Sequence, residues 1–121
     1  MYIPPSFAKT DRTKLFDFIE QHNFGLLISQ LGDEPAAVHV PLLLDRHAGT
    51  SGILVGHMAQ ANPQWQAKDR NVLVVFSGPH VYISPSWYEA ENVVPTWNYV
   101  AVHVYGTLHI VEKGEATLKI L

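Results

Sequence analysis

The spacing of apolar positions predicts one clear helix near the beginning of the chain, over residues 10–22. Within it, apolar side chains and one histidine recur at helical spacing: Leu15, Phe18, Ile19 and His22. Thr10 or Asp11 is a suitable N-cap, because a short side-chain oxygen can accept a hydrogen bond from the first helical turn. We therefore expect this helix to pack one apolar side against the rest of the protein.

Short apolar runs bounded by turn residues predict strands along the rest of the chain. The runs 24–31 and 36–45 flank the turn signal Gly32-Asp-Glu-Pro35, an arrangement that is typical of a hairpin. The second run alternates, and one set of its positions forms an apolar face: Val38, Val40, Leu42 and Leu44. Further strands are predicted at 53–58, 72–76, 80–84 and 99–112, the last as one long strand or as two broken near Gly106.

Two other segments carry helix signals. Asn62-Pro63 favours a short helix, because asparagine is a favoured cap and proline suits the first helical position. The last residues, 114–121, resemble the first turns of a helix with Leu118 and Leu121 on one side. Residues 85–95, which begin and end with proline, are expected to form a loop.

Together these elements predict a mainly β protein. Six or seven short strands with two short helices fit an antiparallel β-barrel better than a doubly wound parallel sheet, which needs alternating strands and helices. A length of 121 residues accommodates a single domain that spans residues 1–121. Hydrophobic residues make up 47% of the chain and charged residues 16%, which favours a packed core over a disordered chain.

Charge and composition exclude several classes of function. The net charge is −3 and the eight Lys and Arg residues are scattered, so the basic stripe of a nucleic-acid-binding surface is missing. The chain has no cysteine, which excludes thiolate catalysis, thiolate metal sites and disulfides. The long uncharged stretch 72–88 contains glycine and prolines and cannot form a membrane-spanning helix. We therefore expect a cytoplasmic protein with no membrane partner and no direct contact to DNA.

Seven histidines are many for a chain of this length, but their spacing does not indicate a metal site. No HxH or HExxH pattern occurs, and individually hydrogen-bonded histidines are the simpler explanation. The GxSxG, phosphate-loop and dinucleotide-binding patterns do not occur either. The sequence therefore predicts no metal ligands and no catalytic side chains.

One segment, 56–65, combines features that suit a phosphate group. A strand end leads into the Asn62-Pro63 helix start, where free N–H groups favour an anion, and His57 can add a contact. The alternative is a plain capped helix whose Trp65 packs on the barrel.

A second region, 78–88 with 94–99, places several Trp and Tyr side chains in two neighbouring loops. Such side chains can wall a flat aromatic ligand, while Asn98, Ser84 or Tyr82 hydrogen-bonds its edge. They are equally suited to a homodimer interface, where Trp and Tyr are enriched. Both interpretations remain open at this point, because ligand sites often lie at such interfaces.

Several long motifs cover most of the chain, in one register from residue 1 to about 113. They are Tyr2-Ile-Pro-Pro, the segment from His57 to Trp65, Gly78-Pro-His-Val-Tyr-Ile-Ser-Pro-Ser-Trp-Tyr, and Val94-Pro-Thr-Trp-Asn-Tyr-Val-Ala-Val-His-Val-Tyr-Gly106. These motifs resemble those of the PaiB-type FMN-binding negative transcriptional regulators. The resemblance implies a split β-barrel related to pyridoxamine phosphate oxidase and flavin reductases. It also implies a homodimer with two FMN sites at its interface.

The resemblance further implies which residues bind the cofactor. In related split barrels the phosphate lies near the end of the strand that leads into the small helix. The expected residues are His57, Met58 and Asn62 at the phosphate, His39 and Pro41 at the ring, Tyr82 at the ligand's edge, and Trp97, Asn98 and Tyr99 from the partner subunit. Gln60 stands where many members of the family carry Arg, so this chain lacks one cation that contacts the phosphate.

The family continues past residue 121, so we expect a C-terminally shortened version of a longer member. The leading hypothesis is a flavin-binding, dimeric repressor that acts on transcription indirectly. One alternative is a small flavin-dependent oxidoreductase, such as a flavin reductase or an enzyme like pyridoxamine phosphate oxidase. The other is a haem-binding split barrel.

Overall fold

Six strands dominate the computed structural model, which describes residues 11–84, 96–112 and 115–120. Their bounds are β1 Phe24–Leu31, β2 Glu34–Asp45, β3 Ile53–His57, β4 Asn71–Ile83, β5 Thr96–Glu112 and β6 Glu115–Ile120. Helix α1 spans Arg12–Gln21, and a 3₁₀ helix spans Pro63–Ala67 between β3 and β4. Neither described helix is long and apolar enough to cross a membrane. The predicted loop 85–95 and the Tyr2-Ile-Pro-Pro motif lie outside the described residues.

The strands close into a barrel in the order β1-β2-β3-β6-β5-β4, because β4 pairs back with β1. Every neighbouring pair of strands is antiparallel. This arrangement confirms the predicted mainly β, antiparallel barrel, with six strands, and is consistent with a split β-barrel. Of the two predicted short helices, the second is a 3₁₀ helix of five residues.

The β1–β2 hairpin forms where the turn signal predicts it. The register joins Leu31 to Glu34, which leaves Gly32 and Asp33 as the two turn residues. Gly32 has a φ of 60°, a conformation that glycine adopts without the steric penalty of a side chain. The alternating apolar positions of β2 face the barrel interior, as predicted.

Helix α1 begins at one of the two predicted caps and packs on the barrel. The Asp11 carboxylate accepts a hydrogen bond of 3.3 Å from Lys14 N, which satisfies a backbone donor of the first turn. The buried side chains of α1 are Phe16 and Ile19. The other members of the predicted apolar side are half-buried: Leu15, Phe18 and His22.

Arg46, which follows β2, links α1 to the barrel. Its guanidinium lies 2.9 Å from the carboxylates of both Asp17 and Glu20, and 5.6 Å from the ring centre of Phe16. Hydrogen bonds from the guanidinium to Asp17 and Glu20 raise the pKa of Arg46. Because arginine is already charged at every physiological pH, the strength of this ion pair depends on salt concentration rather than on pH in that range.

The main core lies inside the barrel. Its buried side chains are Phe16, Ile19, Leu27, Val40, Leu42, Leu54, Met58, Ala67, Val72, Val74, Phe76, Val104 and Leu108. Because side chains alternate along a strand, the residues between these inward positions lie on the outside of the barrel. On β4, for example, Leu73 and Val75 lie outside.

Two predicted strand limits differ from the structure, namely the break between residues 76 and 80 and the start of the last long strand at residue 99, whereas one of the two alternatives for that strand, a single unbroken strand, is confirmed. The sequence predicts a break at Ser77-Gly-Pro79, but β4 runs through it with a register shift against β5 between Ser77 and His80. Such a bulge accommodates glycine and proline without ending the strand. β5 is one strand, beginning at Thr96, because Gly106 stays in register with a neighbouring strand on each side.

The predicted C-terminal helix over 114–121 is wrong, because residues 115–120 form β6. This strand lies between β3 and β5, and the backbone of Leu118 is opposite both Leu54 and Leu108. Polar and apolar residues alternate along the segment. That two-residue period is the strand signal, and a partner strand on each side satisfies its backbone groups.

Candidate functional site

The barrel carries a straight row of outward side chains across four neighbouring strands. His39 on β2 is opposite Leu26 on β1. Leu26 is opposite Val75 on β4, which in turn is opposite His103 on β5. The neighbours of these four residues along each strand belong to the core or pack against it, so the row itself lies outside. We call the outward side of these four strands, centred on this row, the outer face.

Aromatic side chains flank the row on both sides. Phe24 stacks on His39, with ring centres 5.7 Å apart, and lies opposite Pro41. On the other side of the row, Leu73 is opposite Tyr105. Phe24 is 64% exposed and Tyr105 is 55% exposed. The outer face therefore presents aromatic surface to solvent.

Beyond the row, β4 and β5 continue as a two-stranded arm. The pairing of β1 with β4 ends at Val75, and the pairing of β5 with β6 begins at Gly106. The arm, residues 77–83 with 96–101, is therefore paired only within itself in the described part of the chain. Along the arm, the edge of β5 that faces away from β4 lies beside no described strand.

Three of the predicted ligand residues meet on one side of the arm. Tyr82 is opposite Trp97, with ring centres 5.5 Å apart. His80 is opposite Tyr99, and its ring centre lies 5.9 Å from that of Trp97. Trp97 and Tyr99 alternate with Asn98, so both lie on the same side of β5 as the outer face and Asn98 lies on the other side. The structure thus separates Asn98 from the aromatic group.

The residues predicted at the phosphate do not share one surface. His57 is exposed at the end of β3, whereas Met58 is buried in the core. The Asn62 side-chain oxygen accepts a hydrogen bond of 2.9 Å from Gln64 N and caps the 3₁₀ helix, as the sequence predicts. Trp65 of that helix is 39% exposed. Of the three residues, His57 alone presents its side chain to solvent at the strand end.

A narrow apolar pocket opens beside the end of β3. Its walls include Gly56, His57 and Met58 on one side and Leu27, Val74 and Leu108 on the other. It has room for about one water molecule. A flavin ring cannot enter this pocket.

Sequence reasoning misses a buried glutamine. Gln64 is 2% exposed, and its side-chain amide donates to the Ser29 hydroxyl at 2.8 Å. The same nitrogen lies 3.2 Å from the Leu27 carbonyl and 3.1 Å from the Ala36 carbonyl. These bonds fasten the 3₁₀ helix to β1 and β2. The sequence gives only a weak sign that Gln64 is buried. The two buried residues of this five-residue helix, Gln64 and Ala67, lie three positions apart, and so short a pattern resembles that of an exposed helix.

The other missed residue is His103. Its Nδ1 is buried and has no hydrogen-bond partner among the residues that the structure describes. The alternation of β5 predicts that this side chain points outward, but not that its nitrogen is shielded from water. Elsewhere, within residues 11–84, 96–112 and 115–120, no three His, Asp or Glu side chains converge as metal ligands would.

Comparison with known proteins identifies the family. All 121 residues match the family model described as "Putative FMN-binding domain". A Bacillus subtilis protein named "Protease synthase and sporulation protein PAI 2" is 43% identical over 117 residues, which cover 95% of this chain and 56% of that protein. The chain belongs to this PaiB-type family. The resemblance carried by the sequence motifs is thereby confirmed.

Fungal proteins extend the PaiB-type family. An uncharacterised Saccharomyces cerevisiae protein is 35% identical over 98 residues, covering 73% of this chain and 58% of that protein. An uncharacterised Emericella nidulans protein is 31% identical over 155 residues, covering 100% of this chain and 62% of that protein. The chain therefore spans about three-fifths of the length of these curated relatives.

The described residues fit the flavin that the family description names. A flavin needs flat apolar walls for its ring and polar groups for its edge and phosphate. The outer face and the arm offer exposed rings at Phe24, Trp97 and Tyr99. The imidazole of His39 stacks on Phe24, and the imidazole of His57 lies at the end of β3. The donor set suits a flavin held against the outside of the barrel.

Proposed function

We propose that this chain is the FMN-binding domain of a cytoplasmic, homodimeric split-barrel protein that regulates transcription indirectly. The observation that carries the proposal is the exposed aromatic surface of the outer face and arm, on a chain of the FMN-binding PaiB-type family. The match to the family over the whole chain supports the cofactor, and the structure supports its location outside the barrel.

In this proposal the flavin ring lies against the outer face of one subunit. Phe24, stacked on His39, and Pro41 provide the flat wall. The arm of the second subunit closes the other side with Trp97 and Tyr99, and Tyr82 buttresses that tryptophan. When bound, FMN would supply reversible electron-transfer chemistry.

The phosphate end of the cofactor lies at the end of β3 in this proposal. The exposed imidazole of His57 donates to the phosphate, and it contributes a charge-assisted contact when protonated. Met58 supports the site from the core side, and Asn62 holds the 3₁₀ helix in place through its cap. Both act by positioning the strand end rather than by touching the phosphate.

The exposed aromatic rings of the outer face and arm support a dimer. An interface of standard size removes about 800 Å² from each partner. A second copy that covers the outer face and arm would shield aromatic rings that the described residues leave in solvent.

The charge of the chain supports an indirect rather than a direct effect on transcription. Its net charge is −3 and its cations are scattered, which disfavours tight contact with phosphate backbones. The Bacillus subtilis relative is named for protease synthesis and sporulation. We therefore place this chain in a regulatory process that is governed through its ligand or a protein partner.

The experiment that tests this function is a titration of the purified chain with FMN. Flavin fluorescence reports binding, and size-exclusion chromatography with light scattering reports mass on the same sample. We expect quenching that saturates at about one FMN per chain, on a dimer. Absence of quenching would contradict FMN binding, and a monomer at saturating FMN would contradict a binding site shared between two subunits. A Soret band on titration with haem, or steady NADH oxidation with FMN, would favour one of the two alternative functions.

A further inference from the structure

The narrow pocket beside the end of β3 lies among the core side chains, inside the barrel. We call it the β3 pocket, and its walls are Leu27, Val40, Leu42, Gly56, His57, Met58, Val74 and Leu108. Every wall residue except His57 is buried. The pocket is therefore a gap in the core that opens to solvent at the end of a strand, on the inner side of the barrel wall from the proposed flavin ring.

A glycine at an inward position explains why the core has a gap here. Gly56 follows Leu54 by two residues on β3, so both positions face the interior, but the glycine carries no side chain to fill it. Leu42 takes part of this space, since a Cβ on Gly56 would lie 2.7 Å from Leu42 Cδ2. The space that Leu42 does not take remains in the β3 pocket, which Gly56 lines.

The chemistry of the walls disfavours water in the β3 pocket. A buried water molecule needs about two to four polar partners. The described wall side chains are hydrocarbon, apart from the Met58 thioether and the His57 imidazole. Gly56 lies between Leu42 of β2 and Ala116 of β6, so neighbouring strands satisfy its backbone groups. The interior of the pocket thus favours an apolar guest over water.

We propose that the β3 pocket binds a small apolar gas molecule, with dioxygen as its occupant. An empty gap deprives its walls of dispersion contacts, and an apolar guest restores them without needing hydrogen bonds. Apolar cavities in proteins stay dry and bind apolar guests such as xenon. Dioxygen is little wider than the water molecule for which the pocket has room, so it fits lengthwise through the open end. It also dissolves more readily than dinitrogen in apolar surroundings.

The test is methyl NMR spectroscopy on the isotopically labelled, purified chain, with dissolved dioxygen as the probe. Dioxygen is paramagnetic and speeds the relaxation of methyl groups that it touches. The reporting methyl groups line the β3 pocket and belong to Leu27, Val40, Leu42, Val74 and Leu108. The matched control methyl groups are as deeply buried but lie outside the pocket, and they belong to Ile19, Leu54 and Val72.

We expect the relaxation enhancement to be about fivefold larger at the reporting methyl groups than at the controls, because a bound molecule stays in contact with its walls. Xenon should shift the resonances of the reporting methyl groups. It should also reduce the effect of dioxygen, since the two gases compete for one space. No flavin is added in this experiment, so its failure would leave the proposed FMN binding untouched.

A filling substitution and its matched control locate the site. Val40→Ile adds a carbon to a wall of the β3 pocket, whereas Val72→Ile makes the same change at a buried position outside it. The enhancement at the other reporting methyl groups should fall about fivefold in Val40→Ile and stay within about twofold in Val72→Ile. Val74→Ile fills the pocket from another wall and replaces Val40→Ile if that variant does not fold.

Each contrary result overturns the inference for a different reason. Equal enhancement at reporting and control methyl groups means that dioxygen has no preferred place in the core. A full effect in both filling variants puts the gas outside the β3 pocket. A nuclear Overhauser effect from water to the methyl groups of Leu27 or Val74 shows that the pocket is wet. Shifts with xenon but no effect of dioxygen exclude dioxygen as the occupant.

Discussion

Gln64 Nε2 lies 2.8 Å from the hydroxyl oxygen of Ser29, and both side chains are buried. This contact joins the 3₁₀ helix to β1, next to the strand end proposed for the phosphate. We expect Gln64→Leu to lower the free energy of unfolding by about 2–3 kcal/mol, because buried acceptors lose their donor. Urea denaturation measures this loss.

Ser29→Ala is the control for that prediction. It removes one hydroxyl but leaves the two carbonyl acceptors of Gln64 in place. Its expected cost is about 1 kcal/mol, the typical contribution of one hydrogen bond. A larger loss for Ser29→Ala than for Gln64→Leu would contradict the anchoring role of the glutamine.

Gly78, near the start of the arm, lies against Phe18 of helix α1. A Cβ on Gly78 would lie 2.8 Å from Phe18 Cε2 and 2.9 Å from Cζ. We expect Gly78→Ala to destabilise the chain by about 1–3 kcal/mol, because the ring must move to make room. Thermal unfolding of the variant measures the effect.

A double-mutant cycle shows whether Phe18 is the cause. Phe18→Leu shortens the side chain that the new methyl group meets, so Gly78→Ala should cost about 1 kcal/mol less in that background. Additive effects of the two substitutions would place the strain elsewhere in the arm.

Local sequence patterns predicted the structure correctly where it depends on residues within a single helix or turn. The Asp11 cap, the Gly32 turn and the Asn62 cap all formed as expected, since each depends on neighbours a few residues away. The errors lie where distant strands decide. The segment from Glu115 to Ile120 becomes a strand because β3 and β5 leave a place between them. The bulge after Ser77 likewise depends on pairing with β5.

The sequence names candidate residues for the site, but it could not predict how they are arranged. Motifs pointed to the aromatic residues and to the end of β3, yet they could not show that Asn98 and Trp97 lie on opposite sides of a strand. They also could not show that His39 and His103 share one row, because that row depends on the registers of four strands. The burial of His103 Nδ1 is likewise a product of the assembled barrel.

Trp97 should contribute to FMN binding without contributing much to folding. Its side chain is 57% exposed and touches Tyr82 and His80 on the arm. We expect Trp97→Ala to weaken FMN binding about tenfold through loss of ring packing, with little change in thermal stability. Trp65→Ala is the control, because Trp65 is also partly exposed but lies on the 3₁₀ helix. Equal losses for the two variants would argue against a site on the arm.

Gln60→Arg should strengthen FMN binding. Gln60 is exposed and lies between the end of β3 and the 3₁₀ helix, close in sequence to His57. A guanidinium there can form a charge-assisted hydrogen bond with the phosphate, so we expect affinity to rise about ten- to a hundredfold at low salt. The gain should shrink as salt is added, because the contact is exposed.

Two controls separate a phosphate contact from a general effect of charge. Gln21→Arg adds the same charge at the end of helix α1, where the side chain is also exposed, and should leave FMN affinity unchanged. Riboflavin, which lacks the phosphate, should bind the wild type and Gln60→Arg equally. An equal gain for FMN and riboflavin would mean that the introduced guanidinium acts on the ring, and would move the proposed phosphate position away from the end of β3.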